Sequence, residues 1–254
     1  MNSLSAMRPE PTSATASGGG GPPGHIAIIM DGNRRWARGH GMPVVVGHQR
    51  GAGAVRRAVE GCRELGVRYL TLYAFSSENW KRSPAEVNDL MNLLRFYIRR
   101  EIDELERNGV RARFIGEHDA LPGDIVELTR VAAERTRHNT ALTLTIALNY
   151  GARREIVLAA RRLAAEAAAG RLDPETIDEP AFARALATDF LPDPDLLIRT
   201  SGEQRLSNFL LWQMAYTELV FLPVSWPDFD KHHLRAAIVE FNRRERRYGA
   251  SAGG

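Results

Sequence analysis

The residues best suited to chemistry in this sequence come directly after its first apolar run. Asp31 offers a carboxylate, and Gly32 lets the backbone turn sharply. The next residues are predicted to open a helix, whose first N–H groups lack partners within the helix and attract anions. This helix start has three arginines, although helical spacing points them in different directions: Arg34, Arg35 and Arg38. The pattern is typical of a diphosphate-binding site.

Asp31 itself has two interpretations. A carboxylate beside diphosphate oxygens is a usual ligand of Mg²⁺. An aspartate just ahead of a helix is also a common N-cap, whose side chain accepts a hydrogen bond from a backbone N–H group. Considered alone, Asp31 favours the N-cap. Considered with the polar residues that follow three other predicted strands, it favours the metal.

Three later segments place similar residue types directly after apolar, β-rich runs. They are residues 76–82 (SSENWKR), 149–151 (NYG) and 199–208 (RTSGEQRLSN). In parallel α/β sheets, ligands bind beyond the carboxyl ends of the strands, so these segments are expected to meet at one edge. The sequence therefore predicts one site assembled from four strand ends.

The last of these segments has the composition of a second diphosphate site. Arg199, Arg205 and Ser207 surround a turn that contains glycine. In the alternative interpretation, the segment is a surface loop whose arginines pair with local acids such as Glu203. Two diphosphate sites and one metal together favour transfer of a group between two diphosphate esters.

Other chemistries lack their signatures. The sequence contains no GxxxxGK[ST], GxGxxG, HExxH or GxSxG motif. Its 34 Lys and Arg are nearly balanced by 31 Asp and Glu, which argues against nucleic acid as a partner. Cys62 is the single cysteine, which excludes an intramolecular disulfide and a multi-cysteine zinc site. Its helical spacing with small apolar residues predicts a buried side chain.

Short β-rich runs alternate with amphipathic helical stretches from His25 onward, which is typical of an α/β fold. The strands are predicted at residues 25–30, 67–75, 110–116, 142–150, 195–200 and 218–222. Helices are predicted at residues 33–38, 51–66, 83–109, 154–170 and 230–249. We expect a single domain with a central, mostly parallel six-stranded sheet flanked by helices.

The best-defined helix follows Ser83, which is expected to cap it, with Pro84 at the first helical position and Glu86 completing a capping box. Apolar residues recur at helical spacing until Asn108 and Gly109 end the helix. This apolar stripe is consistent with core packing and equally with one wall of an apolar tunnel.

The two ends of the chain differ in composition from its middle. Residues 1–24, rich in Gly, Pro, Ser, Thr and Ala, are expected to form a disordered tail, residues 25–248 the domain, and residues 249–254 a flexible tail. No signal-peptide core and no run of about 18 apolar residues is present. We therefore expect a cytoplasmic protein whose contact with membranes is at most peripheral.

The segments described above resemble the blocks of a known family. They are HIAIIMDGNRRWARGHG, the following Gly47-His48, YAFSSENWKR, NYGARRE, and RTSGEQRLSNFLLWQMAYTEL followed by WPDFD. Their types and order are similar to those of bacterial undecaprenyl diphosphate synthases over residues 25–248. The resemblance implies a cis-prenyltransferase fold, a homodimer and Mg²⁺ as cofactor. It implies condensation of isopentenyl diphosphate with farnesyl diphosphate in cis configuration, giving undecaprenyl diphosphate for the lipid carrier of cell-wall peptidoglycan synthesis.

The resemblance also implies roles for individual residues. Asp31 corresponds to the acid that binds Mg²⁺ and assists departure of the allylic diphosphate, and Glu218 to a second metal ligand. Asn79 corresponds to the position assigned as proton acceptor; since a neutral amide is a weak base, an alternative is that it orients a phosphate oxygen that takes the proton. The residues that correspond to substrate contacts are Gly32, Asn33, Arg34, Arg35, Trp36, His48, Ser76, Ser77, Glu78, Trp80, Arg82, Arg199, Arg205, Leu206 and Ser207.

Four of these residues also have purely structural interpretations. Trp36 and Trp80 can simply pack, Glu78 can pair with a neighbouring arginine, and Glu218 can be an acid on a dimer surface. Without the resemblance, the structural interpretation is favoured for each.

The sequence departs from the family pattern at three positions. Val44 stands where many members have an arginine that contacts the allylic diphosphate, so one charged contact is missing unless Arg38 replaces it. Ala152 stands where a second glycine is usual, and Gln204 where some members have histidine. The change at Val44 concerns substrate affinity and chain length, and leaves the expected fold and reaction class unaffected.

Three functions are compatible with this pattern. The first is a long-chain cis-prenyltransferase, and the second is a cis-prenyltransferase of shorter or other chain length with the same site. The third, a non-catalytic partner subunit, ranks last because Asp31, Arg199 and Arg205 are all present. Trans-type prenyltransferases are all-helical and use DDxxD motifs, and the sequence has neither feature.

Overall fold

The computed structural model describes residues 21–244. The strands in that range are β1 His25–Ile29, β2 Tyr69–Ser76, β3 Val110–Ile115, β4 Leu142–Tyr150, β5 Leu196–Arg199 and β6 Glu218–Phe221. The α-helices in the same range are α1 Asn33–Gly39, α2 Val44–Glu64, α3 Pro84–Arg107, α4 Gly123–Arg135, α5 Ala152–Ala168, α6 Glu179–Arg184 and α7 Lys231–Arg243. All six predicted strands are confirmed, and each predicted helix has a counterpart.

The strands form one sheet in the order β3-β4-β2-β1-β5-β6, and every neighbouring pair is parallel. A parallel sheet is buried on both faces, which is why its strands are continuous apolar runs. In β1, Ile26 and Ile28 pack into one core cluster while Ala27 and Ile29 pack into another. The predicted single α/β domain is thus confirmed, with a sheet that is wholly parallel.

Different elements cover the two faces of the sheet. On the face of Ile28, α2 and α7 pack through small and branched apolar side chains. Cys62 is fully buried in this cluster, and burial raises the pKa of its thiol to about 12, as expected for a structural cysteine. On the face of Ile29, the chain after β5 covers the sheet, and Phe209 stacks on Tyr73 with 4.4 Å between the ring centroids.

The long helix α3 has the predicted ends but only half of the predicted capping box. The Oγ atom of Ser83 accepts a hydrogen bond from the backbone N–H of Glu86 at 3.3 Å. The carboxylate of Glu86 does not return to Ser83, since it accepts a hydrogen bond from Arg82 at 2.9 Å. At the other end, Gly109 has a φ of +67°, a left-handed conformation that ends the helix.

The connections of the sheet leave a crevice between β1 and β5. These strands are neighbours, but β1 is followed by β2 on one side and β5 by β6 on the other. At such a switch point the loops after the strands diverge and leave room for a ligand. The hydroxyl of Thr200 joins the two loops, because it donates to the backbone oxygen of Asp31 at 2.7 Å and accepts from its N–H at 3.0 Å.

Two expectations concern the ends of the chain and membranes. The predicted tails at residues 1–24 and 249–254 lie outside the described residues, apart from residues 21–24. Across residues 21–244, the helices are all too short or too polar to traverse a bilayer.

Candidate active site

A large cavity opens at the switch point and extends over one face of the sheet. Its volume is about 940 Å³. Polar side chains surround the mouth, namely Asp31, Asn33, His48, Ser76, Glu78, Asn79, Arg82, Arg153, Arg199, Arg205, Ser207 and Asn208. Apolar side chains of α2, α3 and β2 to β4 line most of the rest, among them Val59, Leu94, Ile98, Ile102, Val110, Ala112, Leu144 and Ile146.

The register of the sheet gives the depth of this cavity. Ile29 in β1 is level with Ile115 in β3. Asp31 lies two residues beyond that level and Val110 five residues before it, which corresponds to about 23 Å along the strand direction. A cavity of this length suits an amphiphile that has an anionic head and a long apolar chain.

The apolar stripe of α3 has both of its predicted roles. Ile98 and Ile102 pack with Ala132 of α4 in a small core cluster. The same three residues also line the cavity. The apolar surface of α3 therefore packs into the core where it meets α4, and it forms the wall of the cavity where it faces α2.

Asp31 is held between two arginines at the mouth. Its Oδ2 atom accepts a hydrogen bond from Arg199 at 2.8 Å, and its Oδ1 atom lies 3.2 Å from Arg35. Burial alone would raise the pKa of Asp31, but the hydrogen bonds and charges of Arg199 and Arg35 outweigh burial and lower it. The N-cap position of α1 belongs to Gly32, and no side chain caps that helix, so the N-cap interpretation of Asp31 is wrong.

The environment of Asp31 fits one type of metal site. Within residues 21–244, no three His, Cys, Asp or Glu side chains are grouped closely enough to hold an ion by themselves. Mg²⁺ usually binds to one or two carboxylates and takes its other ligands from water and substrate phosphates. The ionised Asp31 carboxylate therefore fits an ion that is shared with a diphosphate.

Glu218 does not join Asp31 within one chain. It is the first residue of β6, level with Leu196, and its Oε2 atom accepts a hydrogen bond from Arg244 at 2.9 Å. Asp31 lies beyond the opposite end of the sheet, about 16 Å away along the strand direction alone. The two predicted metal ligands of a single chain are therefore too far apart to bind the same ion.

The loop after β2 turns its polar side chains into the mouth. Ser77–Lys81 forms a 3₁₀ turn, in which the Oδ1 atom of Asn79 accepts a hydrogen bond from the backbone N–H of Ser76 at 3.0 Å. Glu78 accepts a hydrogen bond from the Nδ2 atom of Asn208 at 2.8 Å and pairs with no arginine within residues 21–244. Burial would raise the pKa of Glu78, but this hydrogen bond contributes to a net lowering.

The loop after β5 brings the second pair of predicted arginines to the mouth. Arg199 donates to Ser207 Oγ at 2.8 Å as well as to Asp31, and its side chain is only 4% exposed. Arg205 pairs with Glu203, as the surface-loop interpretation proposed, and it also lines the cavity. The same loop has positive φ at Ser207, a strained conformation for a residue with a side chain.

His48 lies at the junction of the mouth and α2. Burial is the main cause that lowers its pKa to about 4, so its imidazole is neutral at physiological pH. Its Nε2 atom is buried and has no hydrogen-bond partner among the described residues. A buried polar atom without a partner is uncommon, and beside a cavity it indicates a position for a ligand atom.

Several predicted contacts lie next to the mouth and do not line the cavity. Trp36 donates to Asp228 at 2.8 Å and Trp80 to Asn149 at 2.8 Å, so each indole N–H already has a protein partner. An added Cβ at Gly32 would lie 2.8 Å from Ser201 Oγ, which requires glycine there. The predicted residues absent from the cavity lining are Gly32, Arg34, Arg35, Trp36, Ser77, Trp80 and Glu218, whereas the other predicted contacts, including Leu206, line it.

Two polar residues at the mouth, Arg153 and Asn208, were not among the site residues predicted from the sequence. Asn208 ends the segment 199–208, and Arg153 lies two residues after the segment 149–151. The signal that they belong to the site is their position beside these strand ends. Val44, the residue that departs from the family pattern, begins α2 and lines a smaller cavity together with His48 and Glu86.

The sequence is similar to one family of proteins over nearly its whole length. Residues 29–249 match the Prenyltransf family model, which describes undecaprenyl diphosphate synthases. Isoprenyl transferase 2 from Bradyrhizobium diazoefficiens is 57% identical over 227 residues, covering 89% of this chain and 90% of the relative. Isoprenyl transferase from Rhizobium meliloti is 56% identical over 227 residues, with coverages of 89% and 92%.

Solved structures give the same result for the fold. Lavandulyl diphosphate synthase from Lavandula x intermedia, in complex with dimethylallyl diphosphate, has a TM-score of 0.87 and 38% identity over 90% of this chain and 98% of that one. A probable undecaprenyl diphosphate synthase from Campylobacter jejuni has a TM-score of 0.75 and 34% identity, with coverages of 89% and 98%.

Proposed function

The chain belongs to the undecaprenyl diphosphate synthase family of isoprenyl transferases, and from this premise we propose that it elongates farnesyl diphosphate with isopentenyl diphosphate, with Mg²⁺ as cofactor. The observation that carries the proposal is the cavity, whose polar mouth continues into an apolar space about 23 Å long. Such a space accepts the growing hydrocarbon while the diphosphate stays at the mouth.

The allylic diphosphate is assigned to the loop after β1. Asp31, Asn33, His48 and Arg199 all line the mouth, and the buried Nε2 atom of His48 has no partner among the described residues. The isopentenyl diphosphate is assigned to the loop after β5, with Arg199, Arg205 and Ser207 as its contacts. The two diphosphates would then share Arg199, which keeps the reacting carbons close together.

The reaction breaks the bond between the allylic carbon and its diphosphate oxygen. The electrons of the isopentenyl double bond form the new carbon–carbon bond, and a proton leaves the neighbouring carbon. Mg²⁺ bound to the ionised Asp31 and to diphosphate oxygens would stabilise the negative charge that develops on the leaving group. Arg199 adds a charge-assisted hydrogen-bond donor, and because its side chain is only 4% exposed, little water competes for it.

Asn79 is proposed to orient a phosphate oxygen and not to take the proton itself. Its Oδ1 atom already accepts a hydrogen bond from Ser76, so only the amide NH₂ group remains for the substrate. That group has no acceptor among the described residues, and it can donate to a phosphate oxygen. A phosphate oxygen is a stronger base than an amide and is the proposed acceptor.

The proposed product is undecaprenyl diphosphate, the precursor of the cell-wall lipid carrier. The proposal of this length rests on the family, and the apolar space beyond the mouth leaves room for elongation. A product of another length remains the second candidate, because Val44 replaces a charged contact beside His48 and Glu86. The retained acid and arginines at the mouth disfavour the third candidate, a non-catalytic partner subunit.

The remaining proposals concern assembly and location. We propose a homodimer, because Glu218 can act as a second metal ligand only if it reaches the mouth of another chain. We propose a cytoplasmic enzyme that binds no nucleic acid and that contacts membranes only through its lipid product.

One experiment tests the activity and the product length together. Purified protein is incubated with farnesyl diphosphate, labelled isopentenyl diphosphate and Mg²⁺, and the products are resolved by length. We expect eleven-unit chains, no product when a chelator removes the metal, and recovery when Mg²⁺ is restored. Folded protein that gives no elongated product at any metal concentration would exclude the proposed activity.

A further inference from the structure

Arg153 differs from the other arginines at the mouth of the cavity. Arg199 pairs with Asp31 and Arg205 pairs with Glu203, so a substrate must compete with a protein carboxylate for each of these side chains. Arg82 is engaged in the same way by Glu86. Arg153 lines the same cavity, and its guanidinium has no hydrogen bond or ion pair with any described residue.

The next residue in the chain provides a natural comparison. Arg153 and Arg154 are both exposed residues in the first turn of α5. Arg154 forms hydrogen bonds to both carboxylate oxygens of Glu117, at 3.0 and 3.1 Å, and does not line the cavity. Two adjacent arginines thus have different surroundings, and the one without an acid partner is the one at the mouth.

The position of Arg153 is fixed by a contact from the loop after β5. The Oδ1 atom of Asn208 accepts a hydrogen bond from the backbone N–H of Arg153 at 2.9 Å, and the backbone oxygen of Asn208 accepts from Ala152 at 2.8 Å. Asn208 thereby supplies partners for two free N–H groups at the start of α5. Its Nδ2 atom donates to Glu78, so one side chain joins the ends of β2, β4 and β5.

Gly151 allows these loops to approach each other. A Cβ atom at this position would lie 2.7 Å from both Ser77 Oγ and Asn208 Nδ2. Only glycine leaves room for the loop after β5 to lie against the start of α5. Arg153 is therefore held next to Asn208 and Ser207, on the side of the mouth assigned to isopentenyl diphosphate.

We propose that the Arg153 guanidinium binds the diphosphate of isopentenyl diphosphate, an inference that rests on the proposed function. A guanidinium without a protein acid can bind two phosphate oxygens without first breaking an ion pair. It also supplies positive charge that is not neutralised in the free protein. Asn208 is the positioning residue, since it holds the backbone that bears Arg153.

The test compares Arg153→Ala and Arg153→Lys with the matched control Arg154→Ala. Steady-state kinetics with each substrate varied in turn give separate KM values. We expect Arg153→Ala to raise the KM for isopentenyl diphosphate tenfold or more and to change the KM for farnesyl diphosphate less than twofold. Arg153→Lys should be intermediate, because lysine keeps the charge but loses the planar fork. Arg154→Ala should stay within twofold of the unmodified protein for both substrates.

Titration calorimetry with isopentenyl diphosphate provides a readout that does not need turnover. Arg153→Ala should bind it at least tenfold more weakly than the unmodified protein does, with an unchanged melting temperature. Equal binding by both proteins, or an equal loss in Arg154→Ala, would overturn the inference. If the unmodified protein binds isopentenyl diphosphate through Arg153 but forms no product, the proposed function fails while this site stands.

Discussion

The mouth of the cavity and its far end are built in opposite ways. Loops and the ends of the elements that they join build the mouth, and the loop after β5 contains strained non-glycine residues with positive φ, such as Ser207 and Asn208. Regular helices and strands build the far end, where buried apolar residues such as Ala112 and Leu144 lie in ordinary strand conformation. We therefore expect chemistry and chain length to depend on separate parts of the molecule, so that each can be changed with little effect on the other.

The wall between α2 and α3 shows that the far part of the cavity is not uniformly apolar. Arg56 on α2 forms ion pairs with Glu101 at 2.8 Å and with Glu104 at 2.9 Å, both on α3. The hydroxyl of Tyr97 donates to the backbone oxygen of Gln49 at 3.1 Å. The two helices are thus joined by polar contacts above an apolar space, whereas α3 and α4 are joined by apolar packing.

The largest effect is expected at the mouth, from Asp31→Ala. Loss of the carboxylate removes the proposed metal ligand and should lower kcat by on the order of a thousandfold or more. It also leaves the buried Arg199 without its acid, so some loss of thermal stability is expected too. Asp31→Asn keeps the hydrogen-bond acceptor and should lose the activity with a smaller change in melting temperature. Near-normal turnover of either variant with Mg²⁺ would refute the metal assignment.

The second prediction concerns the contact between Asn208 and Glu78. Asn208→Asp keeps the acceptor for Arg153 but replaces the donor to Glu78 with a second carboxylate. Because the two adjacent carboxylates repel each other, the pKa of the pair formed with Glu78 rises. At lower pH the two carboxylates share one proton, which again provides a hydrogen-bond donor between them. We expect kcat/KM to fall roughly tenfold at pH 8, because the loss corresponds to the free energy of one hydrogen bond to a charged group. We expect partial recovery of kcat/KM towards pH 6.

The matched control for that experiment is Asn208→Ala. It cannot take up a proton, so its activity should be lower than that of the unmodified protein by a constant factor across the same pH range. Parallel pH profiles for the two variants would show that the hydrogen bond to Glu78 has no role in the reaction.

The third prediction addresses the far end. Ala112 lies on β3 and lines the cavity about 16 Å deeper than Asp31 along the strand direction. Ala112→Leu should shorten the product distribution and change the initial rate no more than about threefold, because it fills space that only a long chain reaches. If Ala112 faced packed core instead, the larger side chain would destabilise the protein by about 1–3 kcal/mol and leave product length unchanged.

The smallest effect at the mouth is expected from its neutral histidine. His48 has a pKa lowered to about 4, so it remains uncharged as pH rises through 6.5, where an ordinary histidine would lose its proton. His48→Gln should lower kcat/KM about fivefold through one lost neutral hydrogen bond. Its pH profile between 5.5 and 8 should keep the shape of the unmodified profile. Disappearance of a transition near pH 6.5 in the variant would show that His48 is charged during turnover.

The mouth could be predicted from the sequence to a large extent. Asp31, Ser76, Asn79 and Arg199 each follow an apolar run within a few residues, and parallel strands bring their carboxyl ends to one edge. A local pattern in the sequence therefore indicates a shared site. The resemblance to the family, and not this local pattern, placed Glu218 with Asp31 as a metal ligand, and the fold of a single chain separates the two residues.

The far end could not be predicted in this way. Leu94 and Ile98 recur at helical spacing, as residues of a core do, and nothing local distinguishes a side chain that meets a neighbour from one that meets a void. Whether the stripe packs or lines a cavity depends on where α2 and α4 lie. In the structure, the stripe of α3 both packs against α4 and lines the cavity.

The sequence by itself determined the strands, five of the seven α-helices in residues 21–244 and the chemical character of the loops, because apolar periodicity, glycine turns and capping residues act over a few neighbours. Only the tertiary structure decided that Asn208 meets Arg153, 55 residues earlier in the chain, and that the space between α2, α3 and the sheet stays open. Those outcomes depend on long-range packing, in which many weak contacts are satisfied at once and no single segment specifies the result.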